Sequence, residues 1–172
     1  MSRTAPSASS PADPEPRWLT PTERSAWIRV VAVLELLPGL LDSQLRRDAN
    51  LTFFEYYLLA RLSEAPGRVL RMSALAHGTN ATLPRLSHVV RRLEARGLVE
   101  RLPCPEDGRA TNARLTEAGW DAVVAAAPRH VEAVRQHAFD ALGPGDVEQL
   151  HRLCDALLTR LDPEGRAGDF DR

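Results

Sequence analysis

Apolar residues recur at spacings of three and four through Trp27, Val30, Val31, Leu34, Leu37, Leu41 and Leu45, so they share one face of a long helix. Thr20-Pro21-Thr22-Glu23 predicts its start, with Thr20 as N-cap, Pro21 at the first helical position and Glu23 closing a capping box. Pro38-Gly39 predicts a kink or break within it. A second helix is predicted over 50–65 and is ended by Pro66-Gly67. Ser73 is placed to cap a short third helix, and a turn follows at Gly78-Thr79-Asn80. Thr82 caps a fourth helix that runs to about Arg96, where Gly97 supplies the left-handed stop. Residues 98–103 and 111–115 read as two strands, joined through the turn-forming stretch Pro105-Glu106-Asp107-Gly108-Arg109. Thr116 caps a fifth helix reaching about Leu142, with Pro128 inside it. Asp146, after Gly143-Pro144-Gly145, caps a sixth, with Val147, Leu150, Leu153, Leu157, Leu158 and Leu161 on one face.

This gives a mainly α fold. Helix, turn, helix and two-stranded hairpin occur in the order of a winged helix-turn-helix, flanked by long N- and C-terminal helices. At about 100° per residue, Leu86, Val89, Val90 and Leu93 of the fourth helix share an inward face. Opposite them stand Pro84, His88 and Arg91, flanked by Arg85, Ser87 and Arg92. A row of donors near a helix N-terminus is what reading the major groove of duplex DNA requires. Arg109, at the hairpin tip, is placed to enter a minor groove or touch the backbone.

Charge sharpens this picture. The 172 residues carry a net charge of −1, which does not describe a uniformly basic binder. Residues 61–114, however, hold ten arginines against five acids, a net of +5, and the remainder nets −6. The cationic third coincides with the helix-turn-helix and the hairpin, as expected of an electrostatic footprint. The chain has no lysine, a bias that genomic composition explains. No apolar run approaches the roughly 20 residues of a membrane span, and 1–16 is a polar, proline-bearing stretch read as a flexible tail. A cytoplasmic protein without membrane contact is expected.

Residues 70–119 resemble the multiple antibiotic resistance regulator (MarR) family. Leu75-Ala76, then Thr82 to Glu94, then Gly97-Leu98-Val99-Glu100-Arg101 are similar to its recognition helix and strand entry. Asp107-Gly108-Arg109 followed by Leu115-Thr116-Glu117-Ala118-Gly119 is similar to its wing. The resemblance implies a single domain over 17–172, with a winged lobe at about 50–116 and dimerisation helices at about 20–48 and 117–162. It implies an intertwined homodimer on a palindromic double-stranded operator. Ser73, Thr82, Pro84, Arg85, Ser87, His88, Arg91, Arg92 and Arg109 are the DNA-contact candidates. Pro84 departs from the small polar residue that many members carry there; it removes a backbone donor and leaves base contact to its neighbours. Asp107 is read as supporting the wing, through the turn or an ion pair with Arg109.

The resemblance also implies a small aromatic or other organic effector, for which Trp27, Arg29, Tyr56 and Tyr57 are pocket candidates, although aromatics at helical spacing are more often core. A repressor relieved by such an effector is expected; a helical protein-interaction module that keeps the winged fold is the alternative. Cys104 and Cys154 lie outside the position used by peroxide-sensing members and read as inert thiols. His130 and His137 share a helix face, with His151 in the last helix, but surface or interface roles outweigh metal binding. Neither a metal nor another cofactor is expected. No catalytic constellation or phosphate-binding glycine loop is present, so an enzyme is not expected.

Overall fold

The computed structural model describes residues 15–105, 107–163 and 165. Most of the expected N-terminal tail, 1–16, and Glu106 of the hairpin turn therefore lie outside the described residues. The chain divides into two compact units at Glu35/Leu36.

Helix α1, Pro21–Ala49, crosses that boundary in sequence. Its start is the expected capping box: the Thr20 N–H donates to Glu23 Oε2 (2.7 Å), and the Glu23 N–H donates to Thr20 Oγ1 (3.2 Å). In the first unit Trp27, Ile28, Val33 and Leu34 are all exposed. Of the kink or break expected at Pro38-Gly39, the break does not occur: α1 runs through both residues. A proline removes one backbone donor, and the bonds on either side suffice to carry the helix past it.

In the second unit Leu41, Gln44 and Leu45 of α1 are buried. Asn50 takes a left-handed φ of +53°, and α2 begins three residues later than expected, at Phe53–Glu64. Thr52 is the cause. Its Oγ1 accepts the Glu55 N–H (3.0 Å), and the Glu55 carboxylate accepts the Thr52 N–H (2.8 Å), a second capping box. After the short turn Pro66–Arg68, residues Val69–Arg71 form strand β1. The sheet is therefore three-stranded, one strand more than the hairpin alone.

Helix α3 spans Met72–Gly78 and α4 Leu83–Ala95. Ser73 is not the cap of α3; it lies inside the first turn, and Arg71 stands at the N-cap without a side-chain bond. Strands β2, Val99–Cys104, and β3, Asp107–Leu115, pair antiparallel, with β1 on the far side of β3 in the order β1-β3-β2. The register runs Val99↔Leu115 to Pro103↔Thr111 and then shifts to Cys104↔Asp107. The turn expected across 105–109 is thus mostly absorbed into β3, with residues 108–110 bulging opposite the Pro103/Cys104 step.

Helix α5 runs Glu117–His137, capped by Thr116 Oγ1 on the Gly119 N–H (3.0 Å). It ends before the expected Leu142, and Phe139–Ala141 forms a separate turn. Helix α6 runs Asp146–Leu161. Its N-cap is Gly145, at φ +85°, not Asp146; the Asp146 carboxylate instead accepts the Gly143 N–H (2.7 Å). The core joins Leu45, Leu51, Leu58, Leu59 and Leu62 to Leu75, Leu86, Val90, Leu93, Val99 and Leu115, with Val123 and Ala126 of α5 closing one side.

Candidate nucleic-acid interface

A tight turn orients α4. The Thr79 Oγ1 hydroxyl donates to Leu75 O (2.8 Å), the Ala81 N–H donates to Ala76 O (2.9 Å), and Asn80 takes φ +48°. The Tyr57 hydroxyl, from α2, donates to Gly78 O (3.3 Å) and ties the turn to the preceding helix. Thr82 Oγ1 then caps α4 by accepting the Arg85 N–H (3.4 Å), as expected from the sequence. Pro84 lies in the first turn, where its missing donor costs nothing to the helix.

Burial sorts the faces of α4 as the period requires. Leu86, Val89, Val90 and Leu93 are buried. Thr82, Pro84, Arg85, His88, Arg91 and Arg92 are exposed, Ser87 is half-buried, and Ser73 on α3 is exposed. Leu83 is the one large apolar residue that this helix exposes.

The arginines around α4 divide by their partners. Arg92 is paired with Glu55, a buried carboxylate on α2, and Arg96 reaches the same group at 3.8 Å. Arg101 pairs with Glu94 (2.6 Å), and that hydrogen bond holds the Glu94 carboxyl below the usual carboxylate range. Arg114 pairs with Glu100 across the β2–β3 ladder. Among the described residues no ion pair takes Arg85, Arg91 or Arg109, though the Arg91 charge acts on the nearby Glu94 carboxylate. Arg85 has one further neighbour: its guanidinium stands 4.7 Å from the centre of the Phe54 ring.

In the wing, Asp107 ties the start of β3 to β1 and to its own strand. Its Oδ2 accepts a bond from Arg71 of β1 (2.7 Å), and its Oδ1 accepts the Arg109 N–H (3.1 Å). Its ion-pair partner is thus Arg71, and Arg109 is held through its backbone with the side chain exposed. Phe54, Glu55 and Arg71 do not emerge from the sequence reading. The Thr52-x-x-Glu55 pattern could have exposed Glu55, whereas three-residue β1 is too short to show a period.

The effector-pocket candidates are divided between the two units. Trp27 (56% exposed) and Arg29 belong to the first unit, where Arg29 bonds Ser25 O (2.9 Å). Tyr56 and Tyr57 belong to the second. Tyr56 is buried with its ring 4.5 Å from that of His130. His130 Nδ1 lies 3.4 Å from Gln44 Oε1, and burial lowers the pKa of this histidine. His151 pairs with Asp155 along α6 (3.4 Å), Cys104 is buried and Cys154 exposed. Among the described residues no group of histidine, cysteine and carboxylate side chains could hold a metal ion, and no helix is long and apolar enough to cross a membrane.

Known proteins share this architecture. Residues 49–110 match the family model described as MarR family. The chain is 42% identical to Sco3205, a MarR family transcriptional regulator from Streptomyces coelicolor whose structure was solved in complex with DNA; the match covers 88% of this chain and 95% of that one, with a TM-score of 0.83. AbsC, a MarR family transcriptional regulator from the same organism, is 38% identical over 87% of this chain and 100% of its own, with a TM-score of 0.80. The HTH-type transcriptional repressor IacR of Pseudomonas putida is 33% identical over 85 residues, 48% of either chain, so the match spans about half of that curated relative. The chain belongs to the MarR family of transcriptional regulators, a family of regulators and not of enzymes.

Proposed function

We propose that the protein is a homodimeric, sequence-specific DNA-binding regulator acting in the cytoplasm, a repressor released by a small organic effector. The observation that carries this reading is the set of guanidinium groups that no ion pair takes among the described residues: Arg85 and Arg91 on the outward face of α4 and Arg109 on the wing. The DNA complex of the 42%-identical Sco3205 supports DNA as the partner, and the naming of IacR as a repressor supports the sign of regulation.

In this reading α4 enters the major groove. Arg85 and His88 meet base edges, Arg91 meets phosphate, and Arg109 reaches the flanking groove or backbone. Thr82, Pro84, Ser87 and Ser73 fill the approach around the helix N-terminus. Arg92, held by Glu55, contributes mainly field. A protein-docking module would expose aliphatic and aromatic residues on this face, and among them α4 exposes only Leu83. Two-fold symmetry then requires two half-sites about 34 Å apart, one turn of duplex.

Selection of duplexes from a randomised library by the purified protein, followed by sequencing, tests this. An inverted repeat with half-sites one turn apart is the expected result. Enrichment of no sequence removes the DNA-reading function. Repeating the selection with a panel of aromatic acids tests release, where loss of the enriched duplex is expected with at least one of them.

A further inference from the structure

The first turn of α2 lies against the outward flank of α4, and two consecutive residues of it meet α4 arginines. Glu55 takes Arg92 and Arg96 by charge, whereas Phe54 meets Arg85 with its ring face. The two contacts have different consequences. An arginine paired with a carboxylate has part of its donor edge engaged and its charge locally offset. An arginine stacked on an aromatic face keeps both, because the guanidinium is planar and its five N–H donors point outward in the plane. Among the described residues, none of the Arg85 side-chain donors has a hydrogen-bond or ion-pair partner. Phe54 is itself fixed, since it is partly buried against the core. Arg85 is therefore seated on a ring with its donors uncommitted, whereas among the described residues Arg91 and Arg109 have neither an ion pair nor an aromatic ring beneath them.

We propose that Phe54 is a specificity-determining positioning residue: by holding the Arg85 guanidinium on its face, it aims the edge donors at one base pair and so sets discrimination between DNA sequences without touching DNA. The inference rests on the DNA-reading function proposed above. Preorganisation is the mechanism. A bidentate contact to guanine requires both the position and the plane of the guanidinium to be fixed, and a side chain with four rotatable bonds otherwise loses that freedom on binding. Phosphate contacts are far less sensitive to the plane, so loss of the platform should weaken base reading selectively.

The test compares affinities for two duplexes, one enriched by the wild-type protein from a randomised library and one a scrambled form of it. Phe54→Leu keeps an apolar residue on the core and removes the aromatic face. The ratio of the two affinities should fall by roughly two- to fivefold, the strength of an exposed cation–π contact, with scrambled-duplex affinity nearly unchanged. Phe54→Tyr should restore the ratio. In an Arg85→Ala background, Phe54→Leu should change the ratio no further. Thermal melts confirm folding, and Phe54→Met carries the same comparison if the leucine variant does not fold. An unchanged ratio, equal loss on both duplexes, or an equal effect in the Arg85→Ala background each overturns the role of Phe54. Failure of the wild-type protein to enrich any duplex overturns the DNA-reading function itself, and the two failures are thereby distinguished.

Discussion

At the scale of single residues, Gly119 shows why the wing sequence must close on a glycine. A Cβ there would stand 2.1 Å from Leu98 O and 2.7 Å from Leu115 Cδ1. The carbonyl cannot easily retreat, because it accepts the Thr116 N–H (3.2 Å) at the cap of α5. Gly119→Ala is expected to cost about 1–3 kcal/mol in urea unfolding, as overpacking against backbone does; a loss within error of zero would mean that the α5–β2 junction yields. His130 carries a different dependence. Burial lowers its pKa, so the unfolded chain binds the proton more readily than the folded one. Stability is then unaffected by this group well above the unfolded pKa of about 6.5 and falls as pH drops through and below it. Gln44, Tyr56 and Phe53 face the ring, and Gln44 in turn donates to Asp48, whose carboxylate feels Arg47 and Arg129. The urea midpoint of the wild-type protein should fall more between about pH 7.5 and 5.5 than that of His130→Gln, and equal falls would assign the acid sensitivity to other groups.

At the scale of elements, what the sequence made legible follows from how much period each element had room to display. Helix α4 has 13 residues and a strict apolar face, so its cap, its buried set and its glycine stop could all be placed in advance. Strand β1 has three residues, with no alternation to read, and exists because β3 offers it Arg114, Ala113 and Asn112 as partners. The α6 cap was misread because Asp146 has the right chemistry one position too late; Gly145, free to take φ +85°, turns the chain first. The candidate DNA-contact residues were legible as a row of arginines, but their division into those with and without an ion pair among the described residues was not, since Glu55 and Arg71 are distant in sequence from Arg92 and Asp107. The wing is the element with the clearest separable role. Arg109→Ala is expected to lower affinity for cognate and scrambled duplexes by similar factors, as a lost phosphate or groove contact does. A loss confined to the cognate duplex would make the wing a base reader.

At the scale of the whole molecule, apolar exposure is what the proposed homodimer would cover. Val147, Leu150, Leu153, Leu157 and Leu161 of α6 are exposed, Leu161 by 77%. A row of this length left in water favours association. Sedimentation at micromolar concentration should give a dimer, and Leu150→Glu with Leu157→Glu should give a monomer; a folded wild-type monomer would remove the palindromic operator as well. Charge provides the second molecular property. A chain of net charge −1 can bind a polyanion only through a local cationic face, so binding is expected to depend on the α4 and wing arginines whose charge no ion pair offsets among the described residues. The most direct measurement is the equilibrium affinity for a duplex as salt is raised. Log affinity should fall steeply and linearly with log salt, with a shallower slope for Arg91→Ala and Arg109→Ala, because each phosphate neutralised releases counterions. Affinity that stays flat with salt, or slopes that the two substitutions leave unchanged, would contradict an interface built from α4 and the wing.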